Sequence, residues 1–325
     1  MHNGMWIWYW NLCEGGNLDR IIARAKANDL HWIAPKLVSG SLNFDEPHQN
    51  QTLWKNPSII SSLQSEGIKV YGWGYHYGNY TSSNDWRTTS QWETDAVLRA
   101  FDLGIDGYIY DAEQEFEESV NPAEAAETMC RKVRERTEGS LLAYSPQAIP
   151  SYHRKFPYEI FEAYTDITMP MLYWKAFGMN VGSVIDWHLR DWQETFNKPI
   201  SANEWMPIGQ AYDGVNLSEV RQFQHKIKQH GAEGSSYWLW ADEWPANTSV
   251  VLPKTRVEEA SPPPPSQDIM MGAIATRALN RAVNALEIIG QTDNDNEWSR
   301  EIAQQGQEDI TTDARDVNRY FSGKA

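Results

Sequence analysis

The chain has 325 residues, a formal net charge of −16 and 41% hydrophobic residues, enough for one large domain or two ordinary ones with a real core. The acidic balance disfavours a nucleic-acid surface, which needs clustered Lys and Arg against phosphate, and no apolar run approaches the ~18 residues of a membrane span. Cys13 and Cys130 are the two cysteines, too few for a disulfide framework or a metal knuckle, and the eight histidines include no i, i+4 zinc pair, so no metal and no cofactor is expected.

The N-terminus leads almost directly into Met5-Trp6-Ile7-Trp8-Tyr9-Trp10, with no basic segment or small-residue cleavage site. That reads as a chain without a signal peptide, made in the cytoplasm. Tryptophan is the compositional outlier, at 16 residues beside 15 tyrosines. Part of this set must be core; the excess fits a cleft that stacks rings on the flat faces of sugars.

Short β-rich runs alternate with amphipathic helical stretches eight times. Met5–Trp10 is the first run, and Leu18–Asn28 the first helix, with Asn17 placed to cap it. His31–Leu37 is followed by a helix at Ser58–Ser65, closed by Gly67. Lys69–Tyr75 precedes Trp92–Leu103, closed by Gly104. Tyr108–Tyr110 ends at an acid pair, and Pro122 opens a helix over Ala123–Glu135. Leu141–Ser145, the short helix Tyr158–Tyr164, Ile167–Tyr173, the helix Val184–Phe196, Pro199–Glu204, the helix Leu217–His230 and Ser235–Trp240 complete the series. Eight such units predict an α/β fold, a (β/α)8 TIM barrel over residues 1–250. A doubly wound sheet would carry a Gly-rich phosphate loop after its first strand, and Asn11–Gly16 is not one.

Residues 251–267 read as a linker that includes the four consecutive prolines Pro262–Pro265. Asp268–Gly290 reads as one amphipathic helix, and 291–325 as a polar, partly disordered tail. A lone helix cannot bury its stripe, so 268–290 is the candidate face for a protein partner or self-association.

The stretch Asp106-Gly107-Tyr108-Ile109-Tyr110-Asp111-Ala112-Glu113 carries the chemistry. Residues i and i+2 of a strand share a face roughly 6–7 Å apart, so Asp111 and Glu113 point the same way at the strand's C-terminal end. That is the end where barrels of this fold place active sites. A carboxyl at an apolar, Trp-lined mouth loses solvation, which makes Glu113 the candidate general acid/base. Asp111, deeper, is expected to stay ionised and to orient either Glu113 or a substrate amide. Glu117 and Glu118 read as a solvated acidic loop. Tyr173 and Glu204 end the sixth and seventh runs, the first with a hydroxyl to offer a sugar substituent and the second as a rival nucleophile across the mouth. Trp8, Trp73, Tyr75, His76, Tyr144, Trp174, Gln210, Tyr212, Trp238 and Asp242 make up the expected substrate-binding wall and floor. No G-x-S-x-G elbow supports a serine nucleophile.

The run Asp106-Gly107-x-x-x-Asp111-x-Glu113 resembles the D-G-x-D-x-D-x-E signature of glycoside hydrolase family 18 chitinases. Met171-x-Tyr173 is similar to that family's M-x-Y element, and Trp238 to its last-strand Trp. The resemblance implies that Glu113 is the acid, that Asp111 orients a substrate N-acetyl group and that Tyr173 hydrogen-bonds it. Ile109 stands where the family has its middle Asp. The chain also looks like family 25 lysozymes, whose D-x-E ends strand four and whose third strand is similar to Gly74-Tyr75-His76-Tyr77; their first-strand Asp has no counterpart here. Both imply a glycosidase acting on β-1,4 bonds beside N-acetylated amino sugars, with bacterial wall glycan ahead of chitin. Lysis-released or virion-borne delivery is the matching expectation. The alternative is a degenerate barrel that only binds glycan within a larger assembly.

Overall fold

The computed structural model describes residues 2–47, 49–79, 89–200, 205–232, 234–241 and 251–252. The chain divides into two units, Met1–Arg256 and Val257–Ala325. The expected linker, apart from Val251 and Leu252, and the whole expected 268–290 helix and tail lie outside the described residues.

The strands are β1 (His2–Ile7), β2 (Leu30–Ser39), β3 (Leu42–Asn43), β4 (Lys69–His76), β5 (Gly107–Ala112), β6 (Leu141–Ser145), β7 (Ile167–Thr168), β8 (Ile208–Gln210) and β9 (Gly234–Trp238). The helices are α1 (Leu18–Ala27), α2 (Gln51–Lys55), α3 (Ser58–Ser65), α4 (Ser90–Phe101), α5 (Gln114–Glu117), α6 (Pro122–Arg136), α7 (Tyr158–Tyr164), α8 (Val181–Phe196) and α9 (Leu217–Gln229). Strand order is β7-β6-β5-β4-β2-β1-β9-β8, with β3 a short antiparallel extension of β2 and every other pairing parallel. Parallel bridges Thr168–Trp205 and Met171–Ile208 join the two ends. The sheet is thus a closed (β/α)8 barrel.

Local chemistry sets most boundaries. Asn17 caps α1 by accepting from the Arg20 amide at 3.0 Å. Asn216 and Glu219 form a reciprocal capping box on α9. Gly67 and Gly104 follow α3 and α4 at φ +80 and +86, a conformation that side chains with a Cβ resist.

The seam between β7 and β8 differs from the sequence expectation. The sixth run forms ladder only at Ile167–Thr168, and among the described residues the next strand is Ile208–Gln210, after the bridge at Trp205; residues 201–204 of the expected Pro199–Glu204 run lie outside the described residues. Pro170 and Pro207 are the cause, because each removes a ladder donor. Their carbonyls still accept, from Ile208 N at 2.9 Å and Ser236 N at 3.3 Å. The first strand likewise ends at Ile7, and Trp10–Leu12 turns into a 3-10 segment.

Two apolar layers result. The outer one joins outward-facing strand residues to the helices. The inner one contains no helix residue: it fills the barrel with Trp6, Trp32, Tyr71, Trp73, Ile109 and the methionines 169, 171 and 206. Gly4 makes room for this packing, since a Cβ there would lie 2.0 Å from the Trp32 ring. At the C-terminal end, the fully buried Asn50 ties β1 to β2. Its Oδ1 accepts from Trp10 N at 2.6 Å, and its Nδ2 donates to Trp8 O at 2.9 Å and Lys36 O at 2.8 Å. Asn50→Ala strips partners from all three backbone groups. Urea denaturation should show an unfolding free energy lower by about 2–4 kcal/mol; a loss within error would mean that those groups find other partners.

Candidate active site

All six residues of β5 are buried. Alternation sends Tyr108 and Tyr110 outward, into the helix-facing layer, and Ile109 and Asp111 inward. Gly107 opens the strand where a Cβ would lie 2.3 Å from the Leu141 carbonyl oxygen. Glu113, the N-cap of α5, continues the inward set just past the strand end. The two acids therefore share the barrel's C-terminal mouth.

Asp111 is 7% exposed, and its Oδ1 has no hydrogen-bond partner among the described residues. Glu113 Oε2 accepts from Gln147 Nε2 at 2.7 Å. Burial above all, and the nearby Glu115 next, push the Glu113 carboxyl up to about 7; Lys36 and the Gln147 donor oppose them. Asp111 is held well above the usual carboxylate range by burial first and the Glu113 charge second, again against Lys36. Burial thus works against the ionised state that the sequence reading expects of Asp111. Depth removes its water as well, and the pair titrates as a unit.

Lys36 projects inward from β2 and is 6% exposed. Its Nζ lies 4.8 Å from the Phe44 ring centroid, 4.9 Å from Trp73, 5.4 Å from Trp8 and 5.9 Å from Tyr75. Burial pulls this ammonium down to about 8, against the attraction of Asp111 and Glu113. The Tyr75 hydroxyl donates to Glu115 Oε2, which fixes a third acid beside the pair.

Tyr173 stands against Tyr212, with ring centroids 5.8 Å apart at 75°. Burial foremost, with Tyr212, Asp111 and Glu113 adding to it, holds the Tyr173 phenol well above its ordinary range, so it remains a donor. Gln210 ends β8 fully buried; its Oε1 accepts from Lys175 N at 2.9 Å, and its Nε2 has no partner among the described residues. Ser145 Oγ, in register with Asp111, is also buried and unpartnered. Orphaned buried polar atoms are expensive unless a ligand takes them up. Below them Trp238 meets Trp6, Trp73 and Trp8 at centroid distances of 6.0, 5.3 and 5.9 Å, giving an aromatic floor.

Trp8, Trp73, Tyr75, Tyr173, Gln210, Tyr212 and Trp238 thus gather around or beneath Asp111 and Glu113. Three expected members do not. His76 points out of the barrel, fully buried, with Nε2 3.1 Å from the Tyr108 hydroxyl and Nδ1 3.3 Å from Glu93 Oε2. Tyr144 stacks on Phe161 in the helix-facing layer, and Trp174 packs on Phe223 there. Each is one residue off the inward phase of its neighbours. Glu204 and Asp242 lie outside the described residues. Glu117 is not a solvated loop residue: it meets His153 Nδ1 at 2.7 Å and accepts from Lys155 N at 3.1 Å, holding the loop after β6. Sequence reasoning missed Lys36, Glu115, Ser145 and Gln147. Lys36 did leave a signal, as a lone cation two residues past Ala34 in an apolar run and in phase with Trp32. Among the described residues, no group of three or more His, Cys, Asp or Glu is arranged to hold a metal ion, and no helix is long and apolar enough to cross a membrane.

The class defined by fold and site is a closed (β/α)8 barrel presenting an acid pair at the end of the strand β5, over a tryptophan floor. No family model matches the sequence, and no curated protein sequence matches it. Solved structures do share the fold. An active domain of a thermostable chitinase from Pyrococcus furiosus aligns at TM-score 0.54 and 11% identity, over 73% of this chain and 83% of that one. A family 18 N-acetylglucosaminidase from Paenibacillus barengoltzii aligns at 0.51 and 11%, over 77% and 97%. A putative chitinase A from Streptomyces coelicolor aligns at 0.51 and 14%, over 76% and 97%. At these identities the likeness is one of fold.

The raised carboxyls have a thermodynamic consequence. Glu113 binds its proton more tightly when folded, up to about 7 against 4.5 for a free glutamate, so the folded state holds more protons between those values. Its contribution to stability is present in full below pH 4.5 and lost as pH rises through about 7, amounting to up to about 3 kcal/mol. Denaturation at pH 5 and pH 7.5 should show this decline in the wild type and a flatter response in Glu113→Gln. Identical slopes would show that the carboxyl is not held up.

Proposed function

We propose that the chain is a glycosidase that cleaves β-1,4 bonds in a polymer of N-acetylated amino sugars, either bacterial wall glycan or chitin. The observation that carries this reading is a Glu113 carboxyl held up to about 7 at a barrel mouth, above a second inward acid and beside a tyrosine that stays protonated. The resemblance of Asp106–Glu113 to the family 18 signature supports it, as does the barrel shared with chitinases of known structure.

The residues divide the work as follows. A sugar ring rests on the Trp238 floor with its acetamide turned toward Asp111 and Tyr173. The acetamide N–H donates to the ionised member of the acid pair, and the Tyr173 hydroxyl donates to the acetamide carbonyl. Glu113 gives its proton to the glycosidic oxygen as that bond breaks. The acetamide oxygen closes on the anomeric carbon, forming a cyclic oxazolinium ion while the leaving sugar departs as an alcohol. Glu113, now a carboxylate, takes a proton from an incoming water that opens the ring, which restores acid and acetamide. The pair must carry one proton for this cycle, since two would remove the anion and none the acid.

Ile109 favours a second reading, a barrel that binds glycan without turning it over, because the family's middle carboxylate is absent there. Release of reducing ends from N-acetylglucosamine oligomers and from labelled wall glycan separates the two. For the enzyme, Glu113→Gln should lower kcat/KM by about 10²–10⁴-fold with binding retained. Binding without product in the wild type would establish the second reading. Wild-type activity should also fall as pH rises above about 7, where Glu113 loses its proton. A rate that keeps climbing to pH 9 would remove Glu113 from the acid role.

A further inference from the structure

Lys36 has no counterpart in the resemblance drawn from sequence, and its setting calls for a physical account. A lysine 6% exposed inside a barrel is rare unless it is paired. The rings of Phe44, Trp73, Trp8 and Tyr75 surround its Nζ at 4.8–5.9 Å. Their faces attract a cation but cannot replace its hydration. The charges that act on it are those of Asp111 and Glu113 at the β5 end, and Tyr75, whose ring borders its Nζ, is in register with Asp111. Glu115 of α5 adds its charge to both acids. Among the described residues, the Tyr75 phenol, bonded to Glu115, and the Tyr173 phenol are further titratable groups beside the cluster.

The position of Lys36 is built. Its Cα is in register with Trp73, and Trp73 is in register with Ile109. Lys36 therefore belongs to the same layer of the barrel as the residue that replaces the family's middle acid. The β2 ladder shifts register just after it, between Lys36 and Val38. Bulges of this kind aim side chains at sites. The Asn50 side chain takes the Lys36 carbonyl at 2.8 Å, which fixes the backbone at that point.

We propose that the Lys36 ammonium is the resident counter-ion of the Asp111–Glu113 pair and that it keeps one member ionised while the other holds a proton. Lys36 is on this view a positioning residue. It takes over, with opposite charge and from a different strand, the task of setting the proton inventory that a third strand carboxylate would share. Two acids side by side in an apolar mouth would otherwise retain protons together, because ionisation of one raises the cost of ionising the other. A single ammonium within the cluster lowers the cost of the first ionisation and leaves the second proton in place. That is the one-proton state the proposed cycle requires.

The inference rests on the proposed acid pair, yet its test needs no glycan. The protonated-carboxyl band in the infrared spectrum of the full chain is followed against pH, with Glu113→Gln and Asp111→Asn used to assign it. Lys36→Met, close in length and apolar, should move the carboxyl midpoint upward by about one pH unit or more. Lys36→Arg, which keeps the charge, should leave it near the wild-type value. An unmoved midpoint in Lys36→Met would overturn the assignment, and so would an equal shift in Lys36→Arg, since the effect would then follow shape and not charge. The reciprocal measurement leaves Lys36 intact and stands if Lys36→Met does not fold. By linkage, Asp111→Asn should lower the pH at which the Lys36 amine titrates in ¹³Cε NMR, and an unchanged amine would equally overturn the proposal. If the carboxyl shift appears but wild-type protein releases no reducing ends, the glycosidase reading fails and the counter-ion assignment holds.

Discussion

Removal of water from the barrel mouth is the constraint on which the rest of the site depends. Four indoles, Trp6, Trp8, Trp73 and Trp238, meet edge to face or tilted below Asp111 and Glu113. Beneath them the inner layer is filled by Trp32, Tyr71 and the methionines. A carboxylate in that setting is expensive. Every distinctive feature nearby answers that expense: the Gln147 donor on Glu113, the Tyr75 hydroxyl on Glu115, and a buried lysine whose charge opposes theirs.

The same plug explains why the barrel tolerates an irregular seam. Among the described residues, the β7–β8 side has two prolines and is joined by isolated bridges rather than a continuous ladder. Its closure depends on side chains meeting inside, with Met169, Met171, Met206 and Ile208 in one inner cluster with the tryptophans. Methionine is suited to this role, since an unbranched thioether fits gaps that a regular ladder would not leave. Dispersion and burial thus replace part of what hydrogen bonds supply elsewhere in the sheet. The opposite side is regular and hosts the acids, where β4, β5 and β6 pair without interruption.

Period-two reasoning recovers a good part of the site and fails in a consistent way. Asp111, Glu113, Tyr75, Trp73 and Trp8 follow from counting alternate residues along runs that do form strands. His76, Tyr144 and Trp174 are all aromatic or titratable, all close to a strand's C-terminal end, and all on the wrong phase. A one-residue shift turns a wall of the site into the helix-facing core. For His76 the out-of-phase partner is Glu93 on α4, and nothing in the local sequence announces that contact. Lys36 is the reverse case, in phase and therefore legible, yet absent from the sequence reading, since a lone lysine in an apolar strand resembles a surface residue until the strand's neighbours are known.

By itself the sequence determined the alternation of eight strands with helices, most helix limits and the shared face of the two acids. These are local matters of period, capping residues and glycine. Only the tertiary structure decided where the seam between β7 and β8 falls, which aromatics line the mouth, and that a cation from β2 stands among acids from β5 and α5. Each of these depends on register between strands far apart in the chain, and register follows from how side chains fill the closed barrel.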